Sequence, residues 1–575
     1  MAVEKYILDN AKHWLEGNFD EETKKQVQNI IDNDEEELTN AFYRDLEFGT
    51  GGLRGIMGVG SNRMNKYTVG MATQGLANYL IATYPNEEIS LAIAYDNRIK
   101  NTYFAQITSD VLSANGIKVF LFDALRATPE LSFAIRYLGC KSGIMITASH
   151  NPKEYNGYKV YWNDGGQIVN PHDINIIEEV KKTTVNDVNF NSKKELISLI
   201  GKEIDDAYLE KLKSLSLSPD IIEKQKDLKI VYTPIHGTGV KTVPDALKKF
   251  GFTSIYNIPE QDINDGNFPT VISPNPEEPE ALTMAIKKAT EVNASLVMAT
   301  DPDGDRVGIA VKNNNNEFEL LNGNQTASIL IYYLLTKWKE NNKIQGKEYI
   351  GKTIVTTELL TKMAESFNVP LYDTLTGFKF IAELIRKHEG IKTFIGGGEE
   401  SYGYLIGDFV RDKDAVISCC MIAEAAAWAA ENGKTMYQLL PEIYTQFGFY
   451  REHLISIKRD GKKGAKEIQE MMKNYRTNPP VTINKSKIIC IKDYLSQENI
   501  DLVNNTTEKM EFPKSNVLQL FTQDGTKITM RPSGTEPKIK FYFSVNDTLE
   551  NTSNFEKKKR ELDNRINEII NDLNL

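Results

Sequence analysis

The chain has 575 residues, of which 41% are hydrophobic and 26% charged, and a formal net charge of −11. That length accommodates about three to five domains, each with its own core, and the composition excludes a mainly disordered protein. The acidic balance argues against broad attraction to nucleic acid or to an anionic membrane, so neither is expected as a partner. The N-terminal "MAVEKYILDNAKHWLEG" interleaves charges with apolar residues at helical spacing and reads as a surface helix. The longest apolar runs, "SILIYYLL" and "AVISCCMIAEAAAWAA", fall short of the roughly 20 residues that span a bilayer and read as buried helices, the second interrupted by Glu424. Cys140, Cys419, Cys420 and Cys490 form no CxxC pair, which points to a reducing, cytoplasmic setting.

From Ser90 to Tyr161 short β-rich runs ("LAIAY", "KVFLF", "GIMIT") alternate with helical ones, the signature of parallel strands with crossovers. "YKVYWNDGGQIV" reads as a hairpin turning at Asp164-Gly165-Gly166. The rhythm restarts at Leu228 and again at Lys352, and past about Tyr444 it gives way to strands that read as antiparallel, closed by a charged helix. The expected fold class is α/β: three similar domains with mixed, largely parallel sheets (1–215, 216–325 and 326–445) and a C-terminal α+β domain (446–575) around a central cleft.

In each α/β unit a buried strand runs into an unusually polar loop: "GIMI" into "TASHNP", "SLVMAT" into "DPDGDR", and "TFI" into "GGGEESYG". Ligands in such sheets bind beyond the carboxyl ends of the strands. Asp301, Asp303 and Asp305 alternate and would repel one another without a cation, and hard oxygen ligands suit Mg²⁺ or Ca²⁺. The spacing excludes an EF-hand, because Lys312 stands where that loop needs glutamate. A solvated acidic turn is the plainer alternative. "RPSGTEP" offers Arg531, the hydroxyls of Ser533 and Thr535, and the open backbone of Gly534, which together describe a phosphate cradle, with a plain turn as the alternative.

Ser149 and His150 are adjacent, but no G-x-S-x-G elbow or oxyanion motif accompanies them, so acyl transfer is disfavoured. With an acidic site and a phosphate cradle elsewhere, Ser149 reads as a carrier of a phosphoryl group. Glu399 and Ser401 sit on a glycine-led turn suited to sugar hydroxyls. Arg54, Lys159, Arg306, Lys379, Arg411 and Lys413 are basic residues able to hold an anionic substrate, although each alone is more often a surface charge. "GKEYIGKT" matches the nucleotide-binding P-loop literally, yet it follows a helix and precedes a strand, the reverse of what that loop needs.

Taken in order, "TASHNP", "DPDGDR", "GEES" and "RPSGTEP" resemble the four motifs of the α-D-phosphohexomutase superfamily. "LEFGTGGLRGIMGVGSNRMN", "TPIHGTG", "TLTGFKFI" and "GGEESYGY" are most similar to its phosphoglucomutase/phosphopentomutase branch, which is phosphomannomutase-like. The resemblance implies a phosphosugar mutase in which Ser149 is phosphorylated and Mg²⁺ is held by Ser149, Asp301, Asp303 and Asp305. It further implies that Arg54, His150 and Lys159 surround the phosphoserine, that Arg306, Lys379, Glu399, Ser401 and Lys413 line the substrate cleft, and that Arg531, Ser533, Gly534 and Thr535 grip the distal phosphate. Glucose 1,6-bisphosphate would serve as activator, sugar phosphates as substrates, and the protein would be a monomer or small homo-oligomer. Gly403 stands where many bacterial relatives carry a histidine, which weakens a mannose-specific reading and leaves Lys413 or Lys159 as acid/base candidates. The leading expectation is interconversion of glucose 1-phosphate and glucose 6-phosphate. The alternatives are a pentose or mannose phosphate, or a phosphosugar-binding protein without turnover.

Overall fold

A computed structural model describes residues 3–49, 51–459, 461–533 and 538–575, with the side chains of residues 461 and 462 left out. Three short helices, Lys5–Glu16, Glu21–Asn33 and Glu35–Phe42, open the chain. Asp20 and Asp34 cap the second and third by accepting from the backbone N–H of Thr23 and Glu37, the expected role of aspartate at a helix start. Trp14, Phe19 and Tyr67 cluster at ring distances of 4.3–5.8 Å and dock this helical cap onto the helix Lys66–Thr83.

The first sheet holds strands β1 (Gly52–Ile56), β2 (Ser90–Tyr95), β3 (Lys118–Phe122), β4 (Ser142–Ile146), β5 (Tyr155–Trp162) and β6 (Ile197–Ile200), in the order β1-β5-β4-β2-β3-β6. The second holds β7 (Ile230–Thr233), β8 (Ile255–Asn257), β9 (Leu296–Thr300), β10 (Val307–Lys312) and β11 (Phe318–Leu321), in the order β11-β10-β9-β7-β8. The third holds β12 (Glu348–Thr353), β13 (Leu371–Thr374), β14 (Thr393–Glu399) and β15 (Gly403–Ile406), in the order β13-β12-β14-β15. In all three the centre is parallel, and one strand returns antiparallel beside its predecessor: β5 on β4, β10 on β9 and β15 on β14. Each polar loop singled out above is the connection between such a pair. Its two ends are therefore fixed by neighbouring, hydrogen-bonded strands.

The expected hairpin at Asp164 is only partly formed. β5 takes β1 and β4 as its partners, and the arm after the turn contributes isolated bridges, Tyr161 with Gln167 and Gly166 with Arg411. β4 and β1 already occupy the two edges of β5, leaving no ladder for a third strand. The fourth sheet is antiparallel throughout, in the order β16 (Phe449–Lys458), β23 (Lys538–Asp547), β22 (Lys527–Pro532), β21 (Leu518–Thr522), β18 (Ser486–Asp493), β19 (Glu498–Asp501) and β20 (Thr506–Lys509), with β17 (Thr482–Ile483) pairing β18.

One apolar cluster runs through the second, third and fourth units, from Tyr208 to Ile569, while one face of the first sheet has its own core around Leu76, Ile93 and Ile144. The helix Ala415–Glu431 lies in the larger cluster and is buried on nearly every face. Its Glu424 carboxylate accepts from Leu217 N (2.7 Å), Ser218 N (2.8 Å), Ser216 Oγ (2.8 Å) and Tyr333 OH (2.7 Å), so the one charge inside this helix is fully solvated by protein. Among the described residues no helix is long and apolar enough to cross a membrane.

Candidate active site

Strand β4 is buried along its whole length and delivers Thr147 and Ser149 to its carboxyl end. Ser149 has φ +52, a left-handed conformation uncommon for a residue with a side chain, and its N–H donates to Thr147 Oγ1 at 2.8 Å. From there Ser149 Oγ donates to Asp301 Oδ2 at 2.8 Å and lies 3.3 Å from His150 Nδ1. The His150 pKa is driven well below 6.5 by burial, with the charges of Arg306 and Arg54 adding to the effect, so the ring is neutral. Arg54, on β1, donates to the Asn151 side chain at 3.2 Å across the same loop.

The second loop turns tightly, because Asp301 Oδ1 accepts from the backbone N–H of Asp305 and Arg306, each at 3.0 Å. Carboxylate oxygens of Asp301, Asp303 and Asp305 lie within 4.8 Å of one another, and all three residues are buried. Burial and the neighbouring Asp303 and Asp305 charges raise the Asp301 pKa far above the usual carboxylate range. Burial acts the same way on Asp303, but Lys159 and the hydrogen bond with Asp301 outweigh it and hold Asp303 ionised. Asp303 Oδ1 and Asp305 Oδ1 are buried without a hydrogen-bond partner. Two orphaned carboxylate oxygens beside a third carboxylate form a hard-oxygen donor set, and they fit a divalent cation of the Mg²⁺ kind.

Two lysines from different units enclose this cluster. Lys159 Nζ, on β5, is 2.8 Å from Asp303 Oδ2 and 3.8 Å from Asp305 Oδ2. Lys413 Nζ, from the third unit, is 3.0 Å from both Asp305 Oδ2 and Asp412 Oδ1. Burial opposes both ammonium charges, yet the facing carboxylates raise both pKa values, so both lysines are charged. Arg306 Nη1 pairs with Glu277 at 2.6 Å while its Nε stays 3.9 Å from Asp305 Oδ1, at the edge of the same cluster.

In the third loop Glu399 ends β14, where its carboxylate accepts from Gly377 N at 2.9 Å. The glycines before it are demanded by the sheet, since a Cβ on Gly397 would lie 1.9 Å from Gly351 O of β12. Glu399 bears electrostatically on Lys413 and Arg306, which places it on the same cleft. Ser401 is half-buried in the following turn, and Glu400 accepts from the hydroxyls of Thr353 (3.1 Å) and Thr356 (3.3 Å). Lys379 lies half-buried in the first turn of the helix Phe378–His388, where burial lowers its pKa against the pull of Asp173 and Glu383. On the fourth sheet Arg531 stands opposite Lys540 in the β22–β23 ladder, and Ser533 N donates to Lys538 O at 2.7 Å. Lys540 feels Glu400 and Arg531, so this strand pair faces the sugar loop. Gly534 and Thr535 lie outside the described residues.

Two basic motifs leave the site. Arg411 is fully buried, donates to the carbonyls of Asp408 and Val410 and pairs with Glu389 at 2.9 Å, so it braces the third unit and holds no substrate. Lys352, the P-loop lysine by pattern, is buried inside β12 between Asp373 (2.7 Å) and Glu358 (3.2 Å), and Glu348–Thr353 form the strand itself where a P-loop would need a loop. His236 is bound at both ring nitrogens, to Ile263 O (2.7 Å) and Thr270 Oγ1 (2.8 Å), consistent with a structural part.

Sequence reasoning missed three residues. Thr128 donates from Oγ1 to Asp303 Oδ2 at 3.1 Å, and its N–H donates to Asp303 O at 2.8 Å. Asp96 and Arg98, in "YDNR", hold the serine loop from below. The same signal that located the other loops, a buried strand followed by a polar stretch, is present at "LAIAY-DNR".

Family models match three consecutive segments: phosphoglucomutase/phosphomannomutase alpha/beta/alpha domain I over residues 45–187, domain II over 206–315 and domain III over 322–447. The chain is 38% identical over 530 residues to a phosphoglucomutase of Staphylococcus haemolyticus (strain JCSC1435), covering 91% of this chain and 94% of that protein. It is 39% identical over 513 residues to one of Staphylococcus aureus (strain MRSA252), covering 88% and 91%. The fold is similar to that of parafusin, a phosphoglucomutase of Paramecium solved in an open form (TM-score 0.66, 18% identity, 92% of this chain and 96% of that chain). It is also similar to a phosphoglucomutase/phosphomannomutase family protein of Burkholderia thailandensis (TM-score 0.62, 18% identity, 90% and 97%).

Proposed function

The chain belongs to the phosphoglucomutase/phosphomannomutase family and is an enzyme of the mutase class, and we propose that it interconverts glucose 1-phosphate and glucose 6-phosphate through a phosphorylated Ser149 and a bisphosphorylated sugar. The observation that carries this reading is the 2.8 Å contact between Ser149 Oγ and Asp301, which joins the hydroxyl of one unit to the acidic cluster of the next.

Asp301, Asp303 and Asp305, with an oxygen on Ser149, would hold Mg²⁺, which when bound supplies positive charge to the transferring phosphoryl group. The chain's own residues do the rest. When Ser149 gives up its phosphoryl group, the bond from phosphorus to Oγ breaks as a sugar hydroxyl oxygen bonds to phosphorus, and the proton that hydroxyl loses is balanced by the one that returns Oγ to a hydroxyl. When the turned intermediate returns its other phosphoryl group, Ser149 Oγ bonds to phosphorus as the bond from phosphorus to the sugar oxygen breaks, the neutral His150 Nδ1 at 3.3 Å can take the serine hydroxyl proton, and the departing sugar oxygen becomes a hydroxyl on protonation. Lys159 and Lys413, held charged, act as clamps on developing negative charge, and Arg54 adds to the same field. Glu399 and Ser401 accept and donate to sugar hydroxyls beside Lys379 and Arg306, while Arg531, Ser533, Gly534 and Thr535 hold the phosphate that is not reacting. Positioning of this kind can supply roughly 7–11 kcal/mol of the barrier, which is why both ends of the sugar must be held. Glucose 1,6-bisphosphate would prime Ser149, and the acidic, CxxC-free chain suits a cytoplasmic enzyme, as a monomer or small homo-oligomer.

The test follows conversion of glucose 1-phosphate, mannose 1-phosphate and ribose 1-phosphate by phosphorus NMR, with Mg²⁺ and a trace of glucose 1,6-bisphosphate, for wild type and Ser149→Ala. Turnover of glucose 1-phosphate by wild type alone is expected. Preference for ribose or mannose 1-phosphate would reassign the sugar, and turnover by Ser149→Ala would remove the serine relay.

A further inference from the structure

Arg98 follows β2 and has no part in the chemistry above, yet it is the most heavily committed cation beside Ser149. Its side chain is fully buried and spends its donors on the backbone of the serine loop. Nη2 donates to Ser149 O at 2.6 Å and to Asn151 O, and Nη1 donates to Pro152 O at 2.9 Å and Tyr155 O at 3.1 Å. Asp96 supplies the second handle: its carboxylate accepts from Thr147 Oγ1 at 2.6 Å and from Arg98 N at 3.0 Å, and lies 3.6 Å from Arg98 Nε. Because Thr147 Oγ1 in turn accepts from Ser149 N, the serine is tied to this Asp-Arg pair on both its N–H and its C=O side.

A chain left to itself would not converge these carbonyls. Their dipoles repel, and Ser149 sits in left-handed backbone that persists only where its surroundings enforce it. A guanidinium presents donors in a fixed planar fork and stays charged when buried, so one residue satisfies all four carbonyls, whereas lysine offers a single centre with three donors. The second unit seals the arrangement: Phe268 lies 5.3 Å from the guanidinium, and Asn97 Nδ2 donates to Asp265 O at 3.2 Å.

We propose that Arg98 is a positioning residue for phosphoryl transfer: by gathering the carbonyls of Ser149, Asn151, Pro152 and Tyr155 it holds Ser149 Oγ against the aspartate cluster, and so directs the phosphoryl group to sugar and away from water. The proposal rests on the mutase reading and adds to it a part for a residue that contacts neither substrate nor reacting atoms.

Arg98→Ala and Arg98→Lys are assayed beside wild type for kcat, KM and the lifetime of the phosphoserine, followed by intact mass in the absence of sugar. A displacement of about 1 Å at the reacting atom costs on the order of a hundredfold, so kcat of Arg98→Ala should fall about that far with KM nearly unchanged. The phosphoserine should hydrolyse faster in both variants, and millimolar guanidinium should restore part of the kcat of Arg98→Ala while leaving Ser149→Ala inactive. Arg98→Lys, which keeps the charge, carries the test if the alanine variant does not fold. Wild-type kcat and phosphoserine lifetime in whichever folded variant is obtained would overturn the proposal, as would a change in KM alone. Failure of the mutase reading looks different: the wild type itself would neither turn over sugar phosphate nor carry phosphoserine.

Discussion

Gly403 and Lys413 share one space: a Cβ on Gly403 would lie 2.1 Å from Lys413 Cδ and 2.9 Å from its Cγ. The bare glycine lets the lysine chain lie across β15 and reach Asp305. A histidine at this position, as in many bacterial relatives, is sterically incompatible with that path. Gly403→Ala should therefore act as a lysine mutation, lowering kcat by about 10²–10³, the usual loss when one preorganised charge or donor leaves a site. Steady-state kinetics of Gly403→Ala and Lys413→Met check this, and equal activity of Gly403→Ala and wild type would refute it.

The orphaned oxygens of Asp303 and Asp305 predict that Mg²⁺ stabilises the fold as well as serving the reaction. At a concentration about 100 times its Kd, a cation bound only by the folded state adds about 2.7 kcal/mol. Thermal unfolding of wild type should shift upward with Mg²⁺. Asp303→Asn should show little shift, and its kcat should be depressed by the same loss of ligand charge.

Lys352 is a structural residue in this fold. Lys352→Met leaves Asp373 without its buried partner, while Glu358 keeps Lys527 at 2.6 Å. Asp373 is 37% exposed and stays solvated, and Glu358 keeps a partner, so the loss should be small, about 1 kcal/mol. Urea unfolding should show that loss, with kcat of the folded fraction intact. A lost kcat at unchanged stability would revive the nucleotide-loop reading.

Glu130 is fully buried at the junction of the first two units, with Oε2 near Ala127 N (3.3 Å) and Thr242 Oγ1 (3.4 Å) and Oε1 without a partner. Burial and then the Asp205 charge raise its pKa from 4.5 to about 8, against Arg126 at 3.9 Å. A carboxyl with a raised folded pKa holds a proton that the unfolded chain has released, so its contribution is complete below about pH 4.5 and lost as pH rises toward about 8. Glu130→Gln removes that loss. The Tm difference between variant and wild type should grow in favour of the variant from about pH 5 to about pH 8.5, and a difference independent of pH would contradict the assignment.

Much of the site was legible in the sequence because its signal is local. A buried strand that runs without pause into "TASHNP", "DPDGDR" or "GGGEESYG" declares a loop at the end of a sheet, and residue chemistry then names metal, phosphate and sugar. Lys352 was legible for the same reason, since the order helix, loop, strand contradicts a P-loop before any coordinates are known. Arg411 was misjudged because burial is a property of packing: whether a surface-type residue faces a cleft or Glu389 depends on elements far apart in the chain.

By itself, then, the sequence determined the alternation of strands and helices, the antiparallel character of the last unit and the kind of chemistry each loop carries, because periodicity and residue type act over a few residues. Only the tertiary structure decided that Ser149 meets Asp301, that Lys159 and Lys413 divide the carboxylates between them, and that Arg98 turns inward to gather the serine loop. Those contacts join residues up to 152 positions apart, and their energies come from burial and charge pairing in a low-dielectric interior, which exists only once the four units have packed.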